Sequence, residues 1–298
     1  MKFNSSLYDY QIQPKMPPGK DFVVWLTHDV DRVAKTLVHG VYYSVSDKKP
    51  YFHIKSFFSR ENPYWNFDRI MELEEKYNAR STFFFLNESI KPKMTDKKSW
   101  ILSFGRYRIK DKIIQETIKK LDSNGWEIGL HGSYNSFDNK ALLLSEKNEL
   151  EKIVKHPIFT SRQHYWNNKI PATWQIQADL GIHYDATFIE KDDVGFKHDV
   201  IFPFRPFNDG FIVFPTVIME RYLLAKASNS IHKAKIIIDK IIEFCRLHRT
   251  VMTVLWHQRF LNRNEFSEYY ILYEYLLDAC QYNNGYFCTP GQMKFEDE

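Results

Sequence analysis

The chain has 298 residues, 44% of them hydrophobic, with 41 Lys and Arg against 37 Asp and Glu and a formal net charge of +4. A chain of this size and apolar content buries a large core and is globular, and so mild a basic excess carries no signature of a nucleic-acid partner. Cys245, Cys280 and Cys288 lack metal-ligand spacing and are too few for a disulfide framework. The opening MKFNSSLYDYQIQPK has no signal-peptide core, and no run reaches the roughly 20 apolar residues of a membrane span, so the expectation is a cytoplasmic protein.

An apolar strand is predicted over 22–27. It runs out in LTHDVD, residues 26–31, where Asp29 and Asp31, two apart on a strand, project to one face. Two adjacent carboxylates need a cation or a shared proton; a strand-end turn capped by Asp31 is the plain alternative. A helix over 67–77 leads to the aromatic strand STFFFL at 81–86. A second helix, 111–121, stops at Ser123-Asn124-Gly125 before the strand WEIGLH at 126–131. Further helices are predicted over 138–154, 171–180, 230–248 and 266–281, and strands over 157–160, 182–188, 211–218 and 250–256. This alternation implies βαβ units and a mainly parallel sheet or barrel, and with no linker in it the chain reads as one domain, 1–298.

Two insertions interrupt the pattern, near 32–63 and 88–112; the second carries Lys91, Lys93, Lys97, Lys98, Arg106, Arg108, Lys110 and Lys112. Both follow strands, where loops of parallel α/β folds either wall an active face or are simply solvated. A functional basic loop would suit an anionic ligand such as a phosphate- or carboxylate-bearing saccharide. Aromatics make up 16% of the chain; most belong to the core, and some could stack on sugar rings.

Titratable residues recur where strands end. His131 closes WEIGLH, Arg162 and His164 lie in SRQHYW at 161–166, and His257 closes TVLWH at 253–257. In a parallel fold the carboxyl ends of the strands gather on one side, so Asp29, His131 and His257 can converge there despite their distance in sequence.

These segments resemble the motifs of the NodB-type polysaccharide deacetylases, carbohydrate esterases with a distorted or partial (β/α) barrel. The resemblance spans about 22–258: LTHDVD is similar to the first motif in its Asp-x-Asp variant, RSTFFFL to the second strand, EIGLHGSYNS to the histidine motif, SRQHYW to the arginine motif and VLWH to the last. It implies a metal-dependent hydrolase removing an acetyl group, in the first place N-acetyl, from a saccharide or glycan intermediate. Asp29 would be the general base, Asp31 and His131 ligands of a divalent metal, usually zinc, and Arg162 would orient Asp29. The main-chain amide of Tyr165 would help bind the oxyanion and His257 would be the general acid. Trp256 and Tyr134, inside the same motifs, are the expected substrate-binding aromatics. Asp193, in KDDVGFK, falls loosely near a further acidic motif. The departure is Asn135, where the family usually has a second histidine. An amide oxygen is a poor zinc ligand, and His164 stands where the family usually has proline, so the expected metal site is Asp31, His131 and His164. Asn135 also keeps open a metal-free amidohydrolase of the same fold; a third possibility is a binding module that holds a glycan without catalysis.

Overall fold

A computed structural model describes residues 5–37, 40–41, 62–103, 105–197, 199–207 and 210–296. Most of the insertion expected near 32–63 lies outside the described residues. Among the described residues nine strands form one sheet: β1 (Phe22–Val30), β2 (Thr82–Leu86), β3 (Glu127–Gly132), β4 (Thr160–Gln163), β5 (Tyr184–Asp185), β6 (Ile212–Val213), β7 (Thr216–Met219), β8 (Val251–Leu255) and β9 (Gly285–Phe287). Their order is β6-β5-β4-β3-β2-β1-β8-β7, and every pairing between them is parallel. β2 covers one edge of β1 only from Thr27 to Val30, and β9 lies beside Phe22 to Val24. The sheet curls until its edges meet: Ile189, beyond β5, bridges Thr216, whose amide donates to the Phe188 carbonyl at 2.8 Å. The result is the distorted (β/α) barrel that the motifs implied.

The helices on the outside are α1 (Phe67–Glu75), α2 (Lys97–Ser103), α3 (Lys112–Ser123), α4 (Lys140–Val154), α5 (Ala172–Asp179), α6 (Glu220–Lys226), α7 (Ile231–His248) and α8 (Ser267–Tyr282). Among the described residues, no helix is long and apolar enough to cross a membrane. Side-chain caps start several of the described helices: Asp96 accepts from the Lys98 amide, Asn139 from the Leu142 amide and Ser230 from the Lys233 amide, each satisfying an otherwise orphaned first-turn donor. α2 lies within the basic insertion, and neither α2 nor α6 had a sequence signal strong enough to predict it.

All nine residues of β1 are buried, as befits a central parallel strand covered on both faces. Strand alternation sorts them. Phe22, Val24, Leu26 and Val30 pack into the outer core under the helices, whereas Val23 and Trp25 fill the barrel interior with Phe84 and Phe214. The Trp25 ring meets Phe214 edge-on at 5.0 Å. The same alternation carries on upward: Thr27, Asp29 and Asp31 continue the interior row above the Trp25 plug. His28 points outward instead, bonded to the Trp256 carbonyl at 2.6 Å and to Glu74 Oε1 of α1 at 2.8 Å.

The strand predicted at 157–160 begins only at Thr160 and runs through Ser161, Arg162 and Gln163, all buried. Its polar sequence hid it, because the Arg162 guanidinium bonds inside the barrel and Gln163 Oε1 accepts from Ser136 rather than from water. The single strands expected over 182–188 and 211–218 are shorter and broken, since this edge is held by two-residue ladders and an isolated bridge.

Candidate active site

Parallel pairing places the carboxyl ends of the strands on one face, and there a cleft of about 490 Å³ opens, lined by Asp29, Asp31, His131, His164 and His257 among others. Groups that are up to 228 residues apart in sequence meet within it.

Arg162, at 0% exposure, reaches from β4 across the barrel. Its Nη1 donates to Asp29 Oδ1 at 2.8 Å and to Thr27 Oγ1 at 2.8 Å, its Nε to the Ala186 carbonyl at 3.0 Å, and its Nη2 to Thr216 Oγ1 at 3.2 Å. The guanidinium also lies over the Phe84 ring at 4.8 Å. Burial alone would raise the Asp29 carboxyl, but Arg162, His131 and His257 outweigh it and hold Asp29 below the ordinary carboxylate range. Asp29 is thus an ionised carboxylate on a rigid mount.

His131 Nδ1 donates to the Arg162 carbonyl at 2.9 Å. A carbonyl oxygen only accepts, so this bond fixes the tautomer and leaves Nε2 facing the carboxylates. Nε2 lies 3.2 Å from Asp31 Oδ1 and 3.6 Å from Asp29 Oδ2. His164 Nε2 is 3.8 Å from the same Asp31 Oδ1. Asp31, His131 and His164 each offer a ligand atom, and these atoms all lie within 4.8 Å of one another. Asp31 Oδ1 and His164 Nδ1 are buried without a hydrogen-bond partner, which is costly for a protein unless another group satisfies them. One carboxylate oxygen and two imidazoles are the donor types of a three-ligand catalytic zinc or similar divalent site. Burial lowers the His164 pKa and so favours the neutral, ligating form. The residues present therefore fit a divalent cation.

On the other side of the cleft, His257 Nδ1 donates to Glu220 Oε1 at 2.8 Å, and its Nε2 lies 3.4 Å from Asp31 Oδ2. Burial disfavours the imidazolium and so does Arg259, but Glu220 and Asp31 prevail, and the His257 pKa is pushed up to about 9. His257 enters the cleft carrying a proton at neutral pH. Arg259 Nη1 binds Asp31 Oδ2 at 2.8 Å, so the two oxygens of Asp31 face different partners.

Comparison with known protein families finds no match, and neither does comparison with curated proteins. Solved structures do match along nearly the whole chain. A putative polysaccharide deacetylase from Mycobacterium smegmatis superposes with a TM-score of 0.60 at 16% identity, covering 95% of this chain and 92% of that one. The fold is that of the polysaccharide deacetylases. A probable polysaccharide deacetylase from Pseudomonas aeruginosa PAO1 gives a TM-score of 0.59 at 12% identity over 94% of this chain and 91% of its own. Puue Allantoinase gives 0.58 at 12% identity, with 95% and 92% covered.

Within this deacetylase fold the structure brings Asp29, Asp31, His131, Arg162, His164 and His257 together. Tyr165 also lines the cleft, 54% exposed and in left-handed backbone at φ 58°, followed by Trp166 at φ 55°. Two successive non-glycine residues in that region mark a strained turn at the cleft edge. Asn135, in contrast, is exposed and outside the cleft lining.

Trp256 is a correction. It is wholly buried and packs against Tyr273 at 5.2 Å in the outer core, because strand alternation turns it away from His257. It cannot touch a ligand in the cleft. Tyr134 stands just outside the lining, 6.1 Å from the Tyr165 ring and with Lys98 Nζ 4.1 Å above its own ring. Asp193 is paired with Lys226 and outside the lining. The cations of the basic insertion mostly have local partners: Arg108 with Asp111 at 2.8 Å, Lys110 with Glu149 at 3.3 Å and Lys112 with Glu116 at 3.7 Å.

Sequence reasoning missed Glu220, Arg259 and Glu88, the last 3.7 Å from His164 Nδ1. All three follow strand ends, Glu220 directly after β7, so the signal that flagged His131 and His257 was present for them as well.

Proposed function

We propose that this protein is a metal-dependent hydrolase that removes an acetyl group, in the first place N-acetyl, from a saccharide. The observation that carries this reading is the meeting of an Arg162-held carboxylate, an Asp-His-His ligand set and a Glu220-held imidazolium in one cleft. An amide is a poor electrophile, so its hydrolysis needs a base for water, charge stabilisation for the oxyanion and an acid for the departing amine. Asp29, kept ionised by Arg162, takes the proton from water. His257 gives its Nε2 proton to the leaving nitrogen while Glu220 holds the ring from behind. The Tyr165 amide, in its left-handed turn, serves as the oxyanion donor. Asp31, His131 and His164 would hold a divalent cation such as zinc, which would supply Lewis-acid polarisation of the acyl oxygen and make water easier to deprotonate.

The test is acetate release from a panel of N- and O-acetylated amino sugars, with protein reconstituted with zinc and with Asp29→Asn. Release by the native protein and loss in the variant support the reading; no release from any of them, alongside sugar binding, would make the protein a binder.

A second reading is a metal-free amide hydrolase of the same fold. It is favoured by the Arg259–Asp31 pair at 2.8 Å, in which a guanidinium already neutralises the expected metal-binding carboxylate. Activity that survives exhaustive chelation would select it.

A further inference from the structure

Three acids line the cleft, Asp29, Asp31 and Asp192, against four cations, Arg32, Lys191, Arg221 and Arg259. Two of the acids are neutralised in place, Asp29 by Arg162 and Asp31 by Arg259, each at 2.8 Å. Lys191 and Arg221 are exposed at the cleft, and among the described residues neither has a carboxylate within salt-bridge distance. They come from separate elements: Lys191 from the loop after the Ile189 bridge, Arg221 from α6, one residue beyond Glu220. The same cleft is lined by Trp166, Met219 and Tyr222, whose apolar surfaces pack with Leu255 and Ile189. Aromatic side chains and two cations without an acidic partner, lining one cleft, are chemistry for a sugar ring bearing a negative charge. A divalent cation on Asp31, His131 and His164 would add to the positive excess.

We infer that the substrate is an anionic acylated saccharide, carrying a phosphate or carboxylate that Lys191 and Arg221 bind while the acyl group faces Asp29 and His257. This rests on the proposed deacetylase reading and adds to it the substrate's charge. It also moves the expected anion site away from the basic insertion, where Arg106, Arg108, Lys110 and Lys112 are engaged locally, to the β5 and β7 side of the cleft.

Three probes of one acetylated amino sugar decide it: the neutral methyl glycoside, the 1-phosphate and the uronic acid. Hydrolysis of each is measured with the zinc-reconstituted protein, and equilibrium binding of each with Asp29→Asn protein, so that binding is read without turnover. At least one anionic probe is expected to be favoured about tenfold over the neutral one in both kcat/KM and Kd. That preference should shrink to about threefold or less when Lys191→Gln and Arg221→Gln are combined, and weaken as salt is raised. A preference for the phosphate alone or the uronic acid alone names the charged group, and either supports the site. Equal Kd values for the three probes, or a preference that the double variant leaves intact, overturn it. An anion preference in binding with no acetate released from any probe would sink the deacetylase reading and leave the anion site standing.

Discussion

Replacing Arg162 with Met tests the centre of the site. The guanidinium is wholly buried, and four hydrogen bonds hold it, to Asp29, Thr27, the Ala186 carbonyl and Thr216. Met keeps much of the volume over the Phe84 ring and deletes the charge, leaving Asp29, 4% exposed, without its hydrogen-bonded counter-charge. Removing one partner of a buried ion pair costs about 3–5 kcal/mol, far above the roughly 1 kcal/mol of a surface pair. Urea unfolding should therefore show a fall in stability of about that size for Arg162→Met. Asp29→Asn alone should be milder, because a neutral amide still accepts from the guanidinium. The double variant should recover about 1–3 kcal/mol relative to the sum of the two, the coupling expected of residues in direct contact. Acetate release by Arg162→Met should drop at least about a hundredfold, since a base that is no longer held ionised and oriented loses its contribution. A cost under about 1 kcal/mol, or strict additivity in the double variant, would show that the two groups do not act as a buried pair.

His164→Ala should lower bound zinc, measured by elemental analysis after dialysis, whereas Asn135→Ala should leave it unchanged; the reverse result would return the third ligand to Asn135. The Glu127 carboxyl is pushed up by burial to about 7 from 4.5, and Glu146 likewise to about 7. Each binds a proton more tightly folded than unfolded, so the stability each contributes is full below about pH 4.5 and is lost as pH rises through about 7, at most about 3 kcal/mol apiece. Glu127→Gln should remove its own share of that decline in urea titrations between pH 5 and 7, at most about 3 kcal/mol, and an unchanged slope would contradict it. Gly129→Ala should destabilise by about 1–3 kcal/mol, because a Cβ there would sit 2.5 Å from the Phe84 ring; an unchanged denaturation midpoint would mean that the ring gives way freely.

Much of the fold is written locally. FVVWL and TFFFL are apolar runs that only strands buried on both faces can use, and the helices over 140–154 and 231–248 lie within two residues of their predicted bounds. The site was legible where a titratable residue ends such a run, as Asp29, His131 and His257 do. Local pattern failed where a residue's partners are tertiary: the predicted strand stopped at Thr160, yet β4 runs on through Gln163, because Arg162 finds its hydrogen bonds inside the barrel.

What the amino-acid order determined alone was the succession of strands and helices and, through the two-residue period, that Asp29 and Asp31 share a face. Which further groups stand opposite them was decided by the closing of the sheet. Trp256 lies next to His257 in sequence and faces the other way, while Glu220, 37 residues distant, supports the His257 ring. A side chain's direction follows from its own backbone, but its partner follows from the register and curl of strands remote in sequence, and only the folded barrel sets those.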